Sequence, residues 1–236
     1  MEDELPENLD SCDLMRTIDS LHEVDMRNGF FSRWDDATGE IRPATVSGHL
    51  ADVASFNLSA RVPRSVRVHF ETAKNLYVYA WFVYRFYPVA EQQVLTSLEF
   101  ALRERLGIQM KQSSGEEAKR TRGLRNLLEE ARKRELVSNA RFSWNEERAR
   151  QRARQRAEFQ QIEEMHRLGL TTVEVDYSNV EPLPEDFDQD WIGTFINTLP
   201  RIRNTYAHGS GTLHNAVLHT FEIVSELINQ LFAPAT

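Results

Sequence analysis

Residues 201–211, RIRNTYAHGSG, set two arginines, an amide, a phenol, a histidine and two glycines into eleven positions. A histidine titrates near neutral pH and can take up or release a proton. A guanidinium holds an anion through two parallel hydrogen bonds. Arg203 and His208 therefore offer proton transfer beside a stabilised negative charge. The same Arg-x4-His spacing recurs at Arg64 and His69 in RSVRVH, so spacing alone does not choose between the two pairs.

Their contexts differ. On an unbroken helix, positions i and i+5 do not share a face. Gly209 and Gly211 let the chain leave helical geometry just after His208, and Arg64 and His69 have no such glycine. The expectation is that His208 stands at a helix end or bend, with Arg203 about one turn back and both pointing into one cleft. The structural alternative is a helix C-terminus. There Arg203 compensates the dipole, while Asn204 and His208 satisfy loose carbonyls.

The elements that must position these residues read as helices. Residues 65–106 carry a strong helical signal, and LYVYAWFVY (76–84) is apolar on most sides, the mark of a helix central to a bundle. Pro88 either kinks this helix or begins a new one in its first turn. Val94, Leu95, Leu98, Ala101, Leu102 and Leu106 follow at helical spacing, and Gly107 is a fitting terminator. Residues 124–137 read as a compact amphipathic helix and 145–169 as a long polar one. Residues 169–188 form a loop, with an extended piece at 171–175. Trp191, Ile192, Phe195, Ile196 and Leu199 line one face of the next helix. Leu213, Val217, Phe221, Val224, Leu227, Ile228 and Leu231 line the last, which should pack on 76–87. Earlier, 10–26 suggests a short amphipathic helix with Leu14, Ile18, Leu21 and Met26 on one face. Residues 34–43 have turn chemistry that fits a hairpin or an ordered loop.

The segment RNTYAHG, followed by an apolar helix, resembles the signature of HEPN domains (higher eukaryotes and prokaryotes nucleotide-binding). Arg203 matches the motif's arginine, Asn204 its polar neighbour and His208 its histidine. The upstream helices are similar to those such domains place before the motif. The resemblance covers about residues 65–232. It implies an all-α, HEPN-like bundle of four to five main helices with a charged helical insertion. On this reading 1–60 is an N-terminal extension, 61–236 is the helical domain, and the insertion occupies about 140–190.

The resemblance further implies a metal-independent endoribonuclease, a hydrolase of the kind found as toxins and defence effectors. Arg203, Asn204 and His208 would be its catalytic residues, with Tyr206 and Arg201 binding substrate. The RNA's 2′-OH would be the nucleophile, His208 the general acid or base, and Arg203 the group stabilising the phosphorane. Asn204 would orient the phosphate or the histidine. The implied partners are RNA and a second copy of the chain, since two protomers of the family often join their motifs, with an antitoxin or another protein besides. Some HEPN domains bind nucleotide, RNA or a protein without cutting, and that is the alternative function.

Composition bounds these readings. The net charge is −8, which argues against an overall basic nucleic-acid binder. Residues 111–160, however, hold 14 Lys and Arg against 8 Glu, a local charge of +6 that leaves −14 for the rest. Within that stretch the helix at 145–169 is either a solvated face held by Glu–Arg pairs one turn apart or an RNA-facing basic arm. The one cysteine, Cys12, permits no intrachain disulfide and suits a reducing compartment. No apolar run approaches the roughly 20 residues of a membrane span, and the N-terminus is acidic. The expectation is a cytoplasmic protein with no membrane partner. His208, His214 and His219 have no Cys, Asp or Glu within two residues, so neither a metal site nor a cofactor is expected.

Overall fold

A computed structural model describes residues 9–35, 38–107, 123–174, 176–207, 211 and 213–234. Among them are one β-hairpin, β1 (Ser32–Asp35) with β2 (Glu40–Pro43), and seven α-helices. The helices are α1 (Val46–Ala54), α2 (Arg64–Tyr79), α3 (Phe86–Leu106), α4 (Leu124–Lys133), α5 (Asn145–Leu168), α6 (Trp191–Ala207) and α7 (Leu218–Leu231). The all-α class expected from the sequence is present, and α2, α4, α6 and α7 all pack on α3, within the four to five main helices expected.

The central position belongs to α3, not to the 76–84 segment. α3 buries Ala90, Val94, Leu95, Leu98, Ala101 and Leu102 completely, on more than one side. No single stripe could cover four neighbours. The 76–84 run ends α2 at Tyr79 and then turns, with the Phe82 N–H donating to the Tyr79 carbonyl at 3.0 Å. Pro88 takes the third position of α3, in the first turn, where it costs no intrahelical bond. Gly107 closes α3 in the left-handed region, φ 70°.

α7 lies mainly on α3. Its Phe221 ring also meets Phe70 and Tyr77 of α2, at centroid distances of 6.0 and 5.9 Å. The expected contact between the last helix and α2 is therefore made through Phe221. That helix starts at Leu218 rather than near 213, because His214 is pinned by side-chain contacts described below.

α6 is placed by its N-terminus. The Asp190 carboxylate accepts from the Gly193 N–H at 2.9 Å and from Arg132 of α4 at 2.9 Å, so one side chain caps α6 and ties it to α4. A Cβ on Gly193 would run into that carboxylate. Ile192, Phe195, Ile196 and Leu199 form the expected buried stripe, with Trp191 at its edge.

The region before α2 departs from the sequence reading. Residues 10–26 form no α-helix, only a 3-10 turn at Ser11–Asp13 and further turns. Asp10 caps the Cys12 N–H, and the Thr17 and Ser20 hydroxyls bond to one another's backbone, which competes with helix formation. Ile18 and Met15 are more than 90% exposed, at 92% and 93%. The segment is held by polar groups instead. The buried Asn28 amide donates to the Ala80 and Trp81 carbonyls, and its oxygen accepts from the Tyr87 hydroxyl at 3.1 Å. Asn28→Ala should lower stability by about 1–3 kcal/mol, because the Ala80 carbonyl and the Tyr87 hydroxyl lose their partner while the Trp81 carbonyl keeps only the Asp25 N–H; a loss below about 0.5 kcal/mol in denaturant titration would remove this anchor.

Beside Asn28, Asp25 accepts from Arg27 and from the Tyr84 N–H, and Asp13 accepts from Arg27 and Arg85. The Arg85 and Arg27 guanidiniums hold the Asp13 carboxyl at about 2, well below the usual carboxylate range. A depressed carboxyl pKa contributes stability above the unfolded value near pH 4 and loses it as pH falls toward 2. Pepsin should therefore cut within 9–30 before it cuts the bundle as pH drops through that window. Simultaneous onset at both places would contradict this.

The long charged helix α5 buries Ala149 and Ala153 within its first three turns and no residue beyond them. The following loop folds back on it. The Asp186 carboxylate accepts from Arg156, which holds its carboxyl low. Residues 171–174 are not a strand, and residue 175 lies outside the described residues. No described helix is long and apolar enough to cross a membrane.

Candidate functional site

The motif arginine sits just before the last turn of α6, which ends at Ala207. His208 itself lies outside the described residues, as do Gly209 and Ser210. Leu199, Arg203 and Tyr206 recur at helical spacing, so all three face α3. The Arg203 guanidinium pairs with Glu99 at 3.4 Å and is 39% exposed. Glu99 also accepts from Arg103 at 2.8 Å. Arg203 is thus held on α3 while keeping part of its guanidinium in solvent. Asn204 and Arg201 are exposed.

Tyr206 has the most elaborate surroundings. Its hydroxyl donates to Oε2 of Glu91, a carboxylate only 2% exposed. The other carboxylate oxygen accepts from the Thr220 hydroxyl of α7. The Tyr206 oxygen also lies 2.7 Å from Nε2 of His214. The phenol has one hydrogen and gives it to Glu91, so its oxygen accepts from a His214 Nε2–H. The order is then imidazole to phenol to carboxylate, across α6, α3 and the segment before α7. Burial, and then the hydrogen bond to Glu91 and its charge, push the Tyr206 phenol above its ordinary value. That phenol stays neutral throughout the physiological range.

These groups border an open cavity of about 410 Å³, whose other walls include Ile202, Thr205 and His219. Arg203 does not line it. The structure therefore brings Tyr206 to a cleft and sets Arg203 on its flank, against Glu99. His69, of the second Arg-x4-His pair, packs on the Phe100 ring at 5.0 Å and lies 3.3 Å from the Gln93 amide, between α2 and α3. Among the described residues, no three of His, Cys, Asp and Glu converge as metal ligands would.

Glu91, His214 and Thr220 were not among the residues singled out from the sequence as a site. One signal was available for Glu91. It stands three residues before Val94 and four before Leu95, in register with the apolar positions of α3, where a carboxylate needs partners.

No family model matches the chain, no curated protein resembles it significantly in sequence, and no solved structure matches its fold.

Proposed function

We propose that this chain is a metal-independent endoribonuclease of the HEPN type. In this reading the 2′-oxygen of a ribose attacks the adjacent phosphorus and the bond to the 5′-oxygen breaks. A base removes the 2′-proton and an acid returns one to the leaving oxygen, leaving a 2′,3′-cyclic phosphate and a 5′-hydroxyl. His208 serves as acid or base, Arg203 meets the charge gathering on the equatorial oxygens, and Asn204 orients the phosphate. Tyr206 and Arg201 border the substrate. Pairing of two copies would supply the second acid–base group. Action as a toxin or defence effector, with an antitoxin or other protein as partner, belongs to the same reading.

The observation that carries it is the setting of Arg203. It is partly exposed, it lies just before the last turn of a helix ending one residue before His208, and its neighbour Ile202 lines a cleft. The test is wild-type protein on total RNA with EDTA present. Fragments ending in cyclic phosphate support the reading, and a requirement for Mg²⁺ would overturn it.

A second reading, a non-catalytic module that binds nucleotide, RNA or a protein, is favoured by one observation. Arg203 already pairs with Glu99, as an arginine serving the bundle would. If that reading holds, wild-type protein cuts no RNA, and Arg203→Ala lowers the melting temperature.

A further inference from the structure

A second cavity, of about 550 Å³, opens between the first half of α5 and the start of α6. Arg148, Arg152, Arg154, Glu158 and Trp191 line it. This is three cations to one carboxylate, and that carboxylate is engaged by the Tyr177 hydroxyl. The other arginines of α5 in this stretch are committed: Arg150 to Glu146 and Glu147, and Arg156 to Asp186 and Glu185. Arg148 and Arg154 are exposed and, among the described residues, have no carboxylate within ion-pair distance. Arg152 is fixed in place. Its guanidinium lies 5.6 Å from the Trp191 ring centroid and donates to the Asp186 carbonyl. The Arg148 guanidinium donates to the Gln151 amide oxygen, at 3.3 Å. A pre-positioned guanidinium over an aromatic ring, flanked by two whose charge no described carboxylate pairs, is a surface for phosphates and stacked bases.

One face of α6 runs from this groove to the cleft beside Tyr206. At 3.6 residues per turn, Trp191, Thr198, Ile202 and Thr205 fall within about 60° of one another on α6. Trp191 lines the first cavity, and Ile202 and Thr205 line the second. Thr198 and Thr205 are exposed, and their hydroxyls are turned onto the helix carbonyls at 2.9 and 3.0 Å, leaving methyl groups outward. The strip carries no acid, and Arg201 stands at its margin. From Trp191 to Thr205 it runs about 20 Å along the helix. That is the span of about six stacked nucleotides at 3.4 Å each.

We infer that single-stranded RNA lies along this face of α6, with its backbone anchored distally by Arg148 and Arg154 and a base or ribose against the Arg152–Trp191 pair. The inference takes its ligand from the RNA reading above, but it does not depend on cleavage.

The test uses the full chain and 2′-O-methyl RNA, which cannot supply the nucleophile, as labelled strands of 4 and 20 nucleotides. Affinity is measured by anisotropy from 50 to 200 mM salt. Each phosphate contact on a single strand contributes about −0.7 to the slope of log K against log salt. Arg148→Ala with Arg154→Ala should make the 20-mer slope shallower by about 1.4. Arg150→Ala, whose charge is already paired, should leave it near wild type. An unchanged slope in the double variant, or an equal change in Arg150→Ala, would overturn the inference. So would tighter binding of a polyglutamate peptide than of RNA. If the wild type binds no RNA of either length, both this track and the endoribonuclease reading fail. If it cuts RNA while the slope stays unchanged, only the track fails. If it binds with the expected slopes but cuts nothing, the track stands and the cleavage reading fails.

Discussion

If the chain cuts RNA as proposed, His208→Ala should lower cleavage by about 10²–10⁴-fold, the usual effect of removing a general acid–base group. On the same reading Arg203→Ala should lower it by about 10²–10³-fold, as expected for a lost electrostatic stabiliser. Asn204→Ala costs less, since an amide brings orientation without charge. The same reading expects products that end in 2′,3′-cyclic phosphate, no effect of EDTA, and a rate that rises and falls around neutral pH.

Arg203 needs a second variant, because its ion pair with Glu99 gives it a structural use as well. Arg203→Lys keeps the positive charge beside Glu99 and so keeps most of the stability. It loses the planar fork that grips two phosphoryl oxygens. A lysine variant that folds like wild type and cuts poorly marks a residue acting on phosphate. A lysine variant that is fully active, or a His208→Ala protein that still cuts, would sink the mechanism. His69→Ala is the control: that imidazole packs between α2 and α3, and its loss should leave cleavage intact.

How much of this was legible in the sequence depended on how local the cause was. The hairpin at 34–43 follows from Gly39 and the acids before it, and the stop at Gly107 from one left-handed residue. The α6 stripe follows from periodicity. The turn at 80–85 did not, because an apolar run has the same composition whether it continues a helix or folds back. Here it folds back because Asn28 and Asp25, some 50 to 60 residues earlier, take the backbone groups of 80–84. The 10–26 segment misled for a related reason. Its apolar spacing fits a helix, while its Asp, Thr and Ser side chains cap turns. The grouping at Tyr206 was the least legible part, since Glu91 is 115 residues from Tyr206 and 129 from Thr220. Only the position of a carboxylate among the core positions of α3 hinted at it.

Glu91 should accordingly carry the largest stability effect of any polar residue near the site. Hydrogen bonds to a charged acceptor are worth about 1.5–3 kcal/mol each, and Glu91 accepts two in a buried setting. Glu91→Ala leaves the Tyr206 and Thr220 hydroxyls without their acceptor and should cost about 3–5 kcal/mol, a fall in Tm of roughly 10 °C for a chain of this size. Glu91→Gln separates charge from shape. Its amide oxygen still accepts from Thr220, while its NH₂ now donates to the Tyr206 oxygen. The phenol hydrogen must then turn to His214, whose Nε2 becomes the acceptor and whose proton moves to Nδ1. The chain of hydrogen bonds survives with its direction reversed, so the cost should stay below about 2 kcal/mol. Nitrogen NMR of His214 reads the reversal: Nε2 is protonated in the wild type and bare in the glutamine variant. The wild-type phenol also sets an alkaline limit. Its raised pKa contributes stability that is complete below about pH 10 and is lost as pH rises beyond that value. Tyr206→Phe should blunt that loss. An equal penalty for the alanine and glutamine variants, or a His214 tautomer that does not change between wild type and Glu91→Gln, would mean that the three side chains are neighbours without a shared proton order.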